Sequence, residues 1–223
     1  MFQNISNKLQ ENSLAHKAKS YWKNCKNWTF KDICPDRYNN QIKIAKEFYL
    51  PLLPKDALIL DLGCADGWFS FEIAPSVYHI DAIDISENLI QTAQDTQKIN
   101  NINNINFQVG EVDKVIDTNK LYDSVMCMGI FTCIVKDSEV TKIIQEFSSR
   151  IKLNGILFLK DSLSKTTRQY LDQDNYAAIY RYEDDYIKLF TNEGYELLHE
   201  GLLSDTISET GYFSGFKILK KVS

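Results

Sequence analysis

The chain is poor in the features that mark most specialised proteins. No apolar run approaches the roughly 20 residues needed to cross a bilayer, so membrane insertion is not expected. The opening residues, Met1-Phe2-Gln3-Asn4, are polar and show no secretory signal pattern, which leads us to expect a cytoplasmic protein. Cysteine is present five times, an odd number, with no CxxC and no zinc-like pairing with the three histidines. That argues for reduced thiols and against a structural metal. There is no basic excess: the formal net charge is −5 and the pI is near 5.3. A broad nucleic-acid surface is disfavoured on that ground, and DNA is not an expected partner. No internal repeat is visible.

What remains suits a globular α/β domain with an added cap. Of 223 residues, 44% are hydrophobic, enough for a sizeable core. The charge is uneven. Residues 1–57 carry ten Lys and Arg against five Asp and Glu, about +5, which leaves about −10 for the rest. Ile42, Ala45, Phe48 and Tyr49 recur at helical spacing, and Pro51 and Pro54 end that helix. We assign 1–50 to an N-terminal helical cap and 51–223 to the main domain.

From residue 57 strand and helix signals alternate. Strands are expected at 57–62, 78–83, 105–109, 122–127 and 156–160. Helices are expected at 68–74, at 86–97 with Ser86 as N-cap, and after Asp137 or Ser138. The last carries a single apolar stripe, Val140, Ile143, Ile144, Phe147 and Ile151. Asn154-Gly155 reads as a turn into the fifth strand. Alternation of this kind implies parallel βαβ units with ligands at the carboxyl ends of the strands. The tail departs from it: a helix near 182–192 closes at Gly194, and the strands 195–200 and 212–219, joined without a helix across 201–211, should pair antiparallel.

The run Asp61-Leu62-Gly63-Cys64-Ala65-Asp66-Gly67 is the most informative segment. A buried strand ends in an acid and breaks into a glycine-bounded turn before a helix, a place where backbone can approach a ligand closely. The glycine spacing is not the Gly-x-Gly-x-x-Gly dinucleotide fingerprint, and no Gly-Lys-Ser/Thr follows to make a P-loop. Asp84, 23 residues after Asp61 and at the end of the second strand, is placed to accept hydrogen bonds from both hydroxyls of a ribose.

With those residues in hand, the chain resembles the class I S-adenosylmethionine-dependent methyltransferases of small-molecule type, over roughly 55–220. The resemblance rests on Asp61–Gly67, on Ile83-Asp84-Ile85-Ser86, on Phe107-Gln108-Val109-Gly110-Glu111-Val112, on Tyr122-Asp123-Ser124-Val125-Met126-Cys127-Met128, and on Arg150-Ile151-Lys152-Leu153-Asn154-Gly155-Ile156-Leu157. It implies a doubly wound, seven-stranded, mostly parallel sheet with an antiparallel last strand. It implies S-adenosyl-L-methionine as cofactor. Gly63, with Asp61 and Gly67, would form the turn beside its methionine part; Asp84 would hold the ribose; Glu111 and Val112 would flank the adenine; Met128 would lie near the amino-acid end. Family members often place an N-terminal aromatic or basic residue over the cofactor, for which Tyr21, Trp22, Arg37 and Tyr38 are candidates, Arg37 as partner of a carboxylate.

Two departures bear on the substrate. Glu111 stands where aspartate is commoner. The position after strand four reads Met128-Gly129-Ile130-Phe131 and not Asn/Asp-Pro-Pro-Tyr/Phe, and there is no Pro-Cys motif, which disfavours base methylation of DNA. A general base for an acceptor hydroxyl is sought at Asp161, directly after strand five, or at His16; His79 and His199 read as structural. Residues 161–185 are expected to form a substrate lid, with Tyr176, Tyr180 and Arg181 as substrate-binding residues; Tyr170 and Tyr182 lie in the same cluster. From 161 to 209 there are eleven acids against four Lys and Arg, which disfavours an anionic polymer. The expected activity is methyl transfer to oxygen or nitrogen of a small polar, sugar-linked or similar metabolite. A protein or RNA methyltransferase and a non-catalytic S-adenosylmethionine sensor stand as alternatives, and an NAD(P) oxidoreductase stands behind them. The oligomeric state is open.

Overall fold

The computed structural model describes residues 2–28, 34–112, 119–203, 207–209 and 211–223, with side chains from Leu9 onward. Part of the 201–211 connection lies outside them.

The sheet begins with β1 (Leu58–Leu62), whose last four residues are fully buried. A strand buried on both faces needs parallel neighbours covered by helices. β1 has them in β2 (His79–Asp84) and β4 (Tyr122–Met128), while β3 (Ile105–Val109) pairs parallel with β2. β5 (Ile151–Ser164) follows β4 in parallel. β9 (Tyr212–Lys221) runs antiparallel to β5 and β8 (Tyr195–Leu202) antiparallel to β9. The order is therefore 3-2-1-4-5-9-8, seven strands with the last in sequence reversed, as expected.

The intervening helices follow the sequence closely. α3 (Trp68–Ile73) opens on Gly67. α4 (Glu87–Ile99) is capped by Ser86, whose Oγ accepts from the Leu89 N–H at 3.3 Å. α6 (Asp137–Ser148) buries Val140, Ile143, Ile144 and Phe147, and α7 (Glu183–Thr191) buries Tyr186 and Phe190. Two hydrophobic cores result, one on each face of the sheet, built around Ile59, Phe69, Phe107 and Phe158 on one side and Leu60, Phe131, Phe147 and Phe190 on the other.

Three local expectations change. Ile151 opens β5 and does not extend the α6 stripe. The Asn154-Gly155 turn is absorbed into β5 as a bulge: the β4 register slips between Tyr122 and Ser124, and Asn154 takes φ +66°. A Cβ on Gly155 would sit 2.6 Å from the Ile151 side chain and 2.8 Å from the Lys152 carbonyl, so the bulge requires glycine there. Neither Asp137 nor Ser138 caps α6; Lys136 holds the cap position, and Asp137 is drawn into ion pairs with Arg181 and Arg168 instead.

The largest change is in the expected lid. β5 continues to Ser164, and β6 (Gln169–Gln173) and β7 (Tyr176–Tyr182) form an antiparallel hairpin. β7 joins the end of β5 in parallel through Leu163–Arg181 and Ser164–Tyr182. Ala177, Ala178 and Ile179 are fully buried in spite of the segment's polar composition, and Ala177 packs in one cluster with Leu14, Ala18 and Val135. With the hairpin, the described residues contain nine strands.

The N-terminal residues pack over this end of the sheet. α1 (Phe2–Lys23) sets Leu14 and Ala18 against Val135 and Ala177 of the hairpin side. α2 (Pro35–Ile44) starts with Pro35, which fits a position whose N–H has no helical partner. It passes through a wide turn at 45–49 to a stop at Pro51, with Ile44, Ala45 and Tyr49 buried. The Tyr49 hydroxyl meets Ser124 Oγ at 2.7 Å in the centre of the sheet, which ties the helix to β4.

Candidate active site

A cavity of about 780 Å³ opens at the carboxyl ends of β1, β2, β4 and β5, beneath α1 and α2. The topology explains its place: the helices that follow β1 and β4 leave the sheet on opposite faces, and a crevice forms where their turns part.

The floor is the turn after β1. Gly63 takes φ +72°, and its N–H and that of Cys64 both donate to the Ile83 carbonyl at 2.8 and 3.0 Å. A Cβ at Gly63 would press on Ile130 at 3.1 Å, so glycine keeps both the left-handed backbone and the room above it. Gly67 serves differently. It does not line the cavity; at φ +77° it starts α3, and a Cβ there would stand 2.6 Å from the Phe107 ring. Its role is packing.

Asp61 is buried at 1% exposure beneath this turn. Ser70 Oγ donates to its Oδ2 at 2.5 Å, while Oδ1 has no hydrogen-bond partner among the described residues and the residue lines the cavity. Burial pushes its carboxyl up to about 7, opposed by the Ser70 hydrogen bond and aided by nearby Asp84. A buried carboxylate oxygen left bare is costly in the ligand-free chain, and a cationic hydrogen-bond donor in the cavity would satisfy it.

Asp84 ends β2 and also lines the cavity. The Ala65 N–H donates to its Oδ2 at 2.9 Å and the Ser86 N–H to its Oδ1 at 2.8 Å. Burial raises its pKa against those bonds. Each oxygen retains an acceptor site for a ligand hydroxyl. Glu111 and Val112 line the next part of the wall, where Glu111 forms an ion pair with Lys19 of α1 at 2.8 Å. Met128, Gly129 and Ile130 line the turn after β4.

Above the floor the walls change character. Trp22, Trp28, Trp68 and Tyr176 contribute aromatic surface, with Trp22 edge-on to Trp28 at 5.1 Å between ring centres. Arg37, Lys160 and His16 also reach the cavity. Gln41 is 1% exposed, and neither its Nε2 nor the buried Trp22 indole N–H has a hydrogen-bond partner among the described residues. These are donors that a ligand rich in oxygen would satisfy.

Of the residues expected from the sequence, the structure brings Arg37, Asp61, Gly63, Asp84, Glu111, Val112, Met128, His16 and Tyr176 to one cavity. It places the others elsewhere. Asp161, expected as a base, is 2% exposed and turned away from the cavity: its Oδ1 accepts from the Thr132 N–H at 2.7 Å and Thr132 Oγ1 at 2.8 Å, and its Oδ2 from the Tyr186 hydroxyl at 2.7 Å. Side chains alternate along a strand, so its neighbours Lys160 and Ser162 face the cavity instead. Arg181, expected to hold substrate, is also 2% exposed. Its guanidinium donates to Asp137 Oδ1 at 2.7 Å and to the carbonyls of Phe131 at 2.6 Å, Ile134 at 2.8 Å and Val135 at 3.4 Å. It clamps the open carbonyls at the end of α5 (Ile130–Cys133), and its charge is spent inside the protein. Tyr180 packs on the Tyr212 ring at 4.7 Å and does not line the cavity. Tyr38 donates to Glu72 at 2.5 Å and stacks on Trp68, while Tyr21 stands 5.0 Å from the Tyr176 ring. Lys160, Gln41, Trp68 and Thr132 are cavity residues that sequence reasoning did not reach. The strand-alternation rule applied to 160–162 holds the signal for Lys160, but only once the orientation of β5 is known.

Among the described residues no cluster of His, Cys, Asp and Glu is arranged to hold a metal ion, and no helix is long and apolar enough to cross a membrane.

Residues 59–155 match a family model described as a methyltransferase domain. A ubiquinone biosynthesis O-methyltransferase of Rickettsia akari is 29% identical over 112 residues, 50% of this chain but only 42% of that protein, so the chain spans less than half the length of this relative. Among solved structures, magnesium protoporphyrin IX methyltransferase from Synechocystis, with S-adenosylmethionine bound, superposes at TM-score 0.67 with 17% identity, covering 93% of this chain and 97% of that one. A methyltransferase from Leishmania major superposes at 0.74 with 15% identity, covering 93% and 83%. The structural likenesses establish the fold, and the match at 59–155 spans the turn after β1, Asp84 and the bulge described above. Residues 59–155 are thus similar to a methyltransferase domain, and the chain has the fold of the S-adenosylmethionine-dependent methyltransferases on which it superposes.

Proposed function

We propose that the protein transfers the methyl group of S-adenosylmethionine to an oxygen or nitrogen atom of a small polar molecule held in this cavity, with oxygen favoured. The observation that carries the reading is the bare Oδ1 of Asp61 beside the open backbone of Gly63, in line with Asp84 and Glu111 along one wall. The fit to the cofactor is chemical. Asp61 would accept from the amino group of its methionine part, Asp84 from the ribose hydroxyls, and Val112 and Glu111 would border the adenine. Bound there, the sulfonium supplies an activated methyl group.

The rest is positioning. Met128 and Gly129 would border the methionine end, and Arg37 would pair with its carboxylate. The helical cap of 1–50 and the hairpin within 161–185 would cover the acceptor, Tyr176 and Trp22 walling it and His16 standing near the rim. Excluding water and holding an acceptor in line supplies on the order of 7–11 kcal/mol of a transfer barrier in favourable cases. Oxygen is favoured because the matched Rickettsia relative is named an O-methyltransferase, and because the cationic Arg37 disfavours a protonated amine as acceptor.

Calorimetry with S-adenosylmethionine, S-adenosylhomocysteine and NADH tests the cofactor. Micromolar binding of the first two is expected; binding of NADH alone would overturn the assignment. Asp84→Ala should weaken cofactor binding roughly 10- to 100-fold, the loss of two hydrogen bonds to a charged group. Methyl-label transfer to small-molecule, protein and RNA fractions of a cell extract then separates the acceptor classes, with label expected in the small-molecule fraction.

A further inference from the structure

Lys160 and Asp161 stand side by side near the end of β5 and point to opposite faces. Asp161 is consumed by Thr132 and Tyr186; Lys160 faces the cavity. Lys160 pairs in register with Met128, the last residue of β4. A Cβ built on the next residue, Gly129, would lie 3.5 Å from Lys160 Nζ. The amine therefore sits over the turn after β4, between the wall assigned to the cofactor and the aromatic wall of Trp22 and Tyr176. That is ordinary contact distance, and it is the φ of +99° that calls for glycine at 129.

We propose that Lys160 is the general base of the transfer, taking the proton of an acceptor hydroxyl as its oxygen bonds to the methyl carbon. The inference rests on the reading of this cavity as a methyl-transfer site. The balance is simple. The acceptor O–H bond breaks and its proton passes to the neutral amine, giving an ammonium. The O–CH₃ bond forms, the S–CH₃ bond breaks, and its electron pair stays on sulfur. The ammonium returns the proton to solvent when the products leave.

The surroundings suit a neutral amine. Burial holds Lys160 below the usual lysine range, and Arg37 from α2 acts in the same direction. Asp161 on β5, Cys133 on α5 and Cys34 ahead of α2 oppose the shift without reversing it. Burial pushes the Cys133 thiol up to about 12, which makes it a poor source of negative charge. Tyr176, beside Cys133 on β7, is raised by burial as well and stays a neutral phenol. Of the carboxylates that line the cavity, Asp61 and Asp84 lie beneath the cofactor wall, Glu111 pairs with Lys19 of α1, and Glu139 pairs with Lys136 at the start of α6.

The experiment uses the full chain saturated with S-adenosylhomocysteine. Lysine side chains labelled with ¹³C and ¹⁵N are followed by NMR against pH, and the Lys160 resonance is assigned by its loss in Lys160→Met. A midpoint clearly below that of the other lysines is expected. In parallel, Lys160→Met and Lys160→Arg are assayed for methyl-label transfer into the fraction that the unaltered protein labels. Both should lose about 10²–10⁴-fold in rate, the range of a general base, with S-adenosylhomocysteine affinity held within threefold. Arginine keeps the charge but cannot act as base, so a retained rate in Lys160→Arg would overturn the proposal, as would a Lys160 resonance that titrates with the surface lysines. Failure of the unaltered chain to bind S-adenosylhomocysteine would overturn the cofactor reading itself, and calorimetry reports that separately.

Discussion

The ends of β1 and β5 look alike on first inspection. Each carries a buried aspartate near its end, Asp61 at 1% and Asp161 at 2% exposure, and burial raises both carboxyls. They differ in how their oxygens are used. Asp161 receives three donors from within the fold, on both of its oxygens. Asp61 receives one, from Ser70, and keeps Oδ1 bare at the cavity floor. A buried acid is therefore uninformative about function until its donors are counted. The first is a strut that fastens β5 to α5 and α7. The second is a socket with an unmet need.

The comparison can be broken from either side. The largest effect should come from the clamp that shares the strut's role. Arg181→Met leaves Asp137 Oδ1 and the carbonyls at the end of α5 without their donor and should cost about 3–5 kcal/mol of stability by chemical denaturation. A loss under 1 kcal/mol would show that the clamp is dispensable. Asp161→Ala strands the Thr132 N–H and hydroxyl and the Tyr186 hydroxyl, and should cost about 3 kcal/mol, while the folded fraction binds S-adenosylmethionine within threefold of the unaltered chain.

Asp61→Asn should behave in the opposite way, with cofactor affinity falling roughly tenfold or more and little loss of stability. Its signature is in the pH dependence. In the ligand-free fold the carboxyl titrates at about 7. In the unfolded chain it titrates near 3.9. The folded state holds the proton longer, so this group's contribution is fully present below about pH 4 and is lost as pH rises through about 7. Denaturation of the ligand-free protein between pH 4 and 8 should show that decline, and Asp61→Asn should flatten it. A cationic ligand reverses the preference, so cofactor affinity should rise over the same interval.

The smallest effect is expected at the rim. Lys19→Met removes an ion pair with Glu111 between two partly exposed side chains, at 55% and 32% exposure. Pairs of that kind contribute about 0–1 kcal/mol, so melting should shift by no more than a few degrees. A larger loss would mean that α1 depends on this contact for its seat.

Much of the fold was legible because one face or both faces of each element are apolar at a fixed period. β1 to β4, α4, α6 and the antiparallel β8–β9 pair follow directly from that pattern, and the glycine positions locate the turn beneath the cofactor wall. The hairpin was not legible. Its polar composition over 161–180 masks Ala177, Ala178 and Ile179, which are buried only because α1 and α5 cover them. Asp161 and Arg181 were misplaced for a related reason. Both occur where a ligand-binding residue is plausible, and a chain of letters does not record which face of its strand a side chain takes.

The amino-acid sequence by itself determined the order of strands and helices, the glycine turn after β1, and the acids at 61, 84 and 111 on which the cofactor assignment stands. These are local properties: strand period, backbone angle, and the identity of a residue at a strand end. Tertiary structure alone decided that Asp161 is a strut and Lys160 a cavity residue, that Arg181 spends its charge on α5, and that the N-terminal helices roof the site. Such outcomes depend on strand register and on contacts between segments far apart in the chain, and a one-residue change of register reverses the face that every side chain presents.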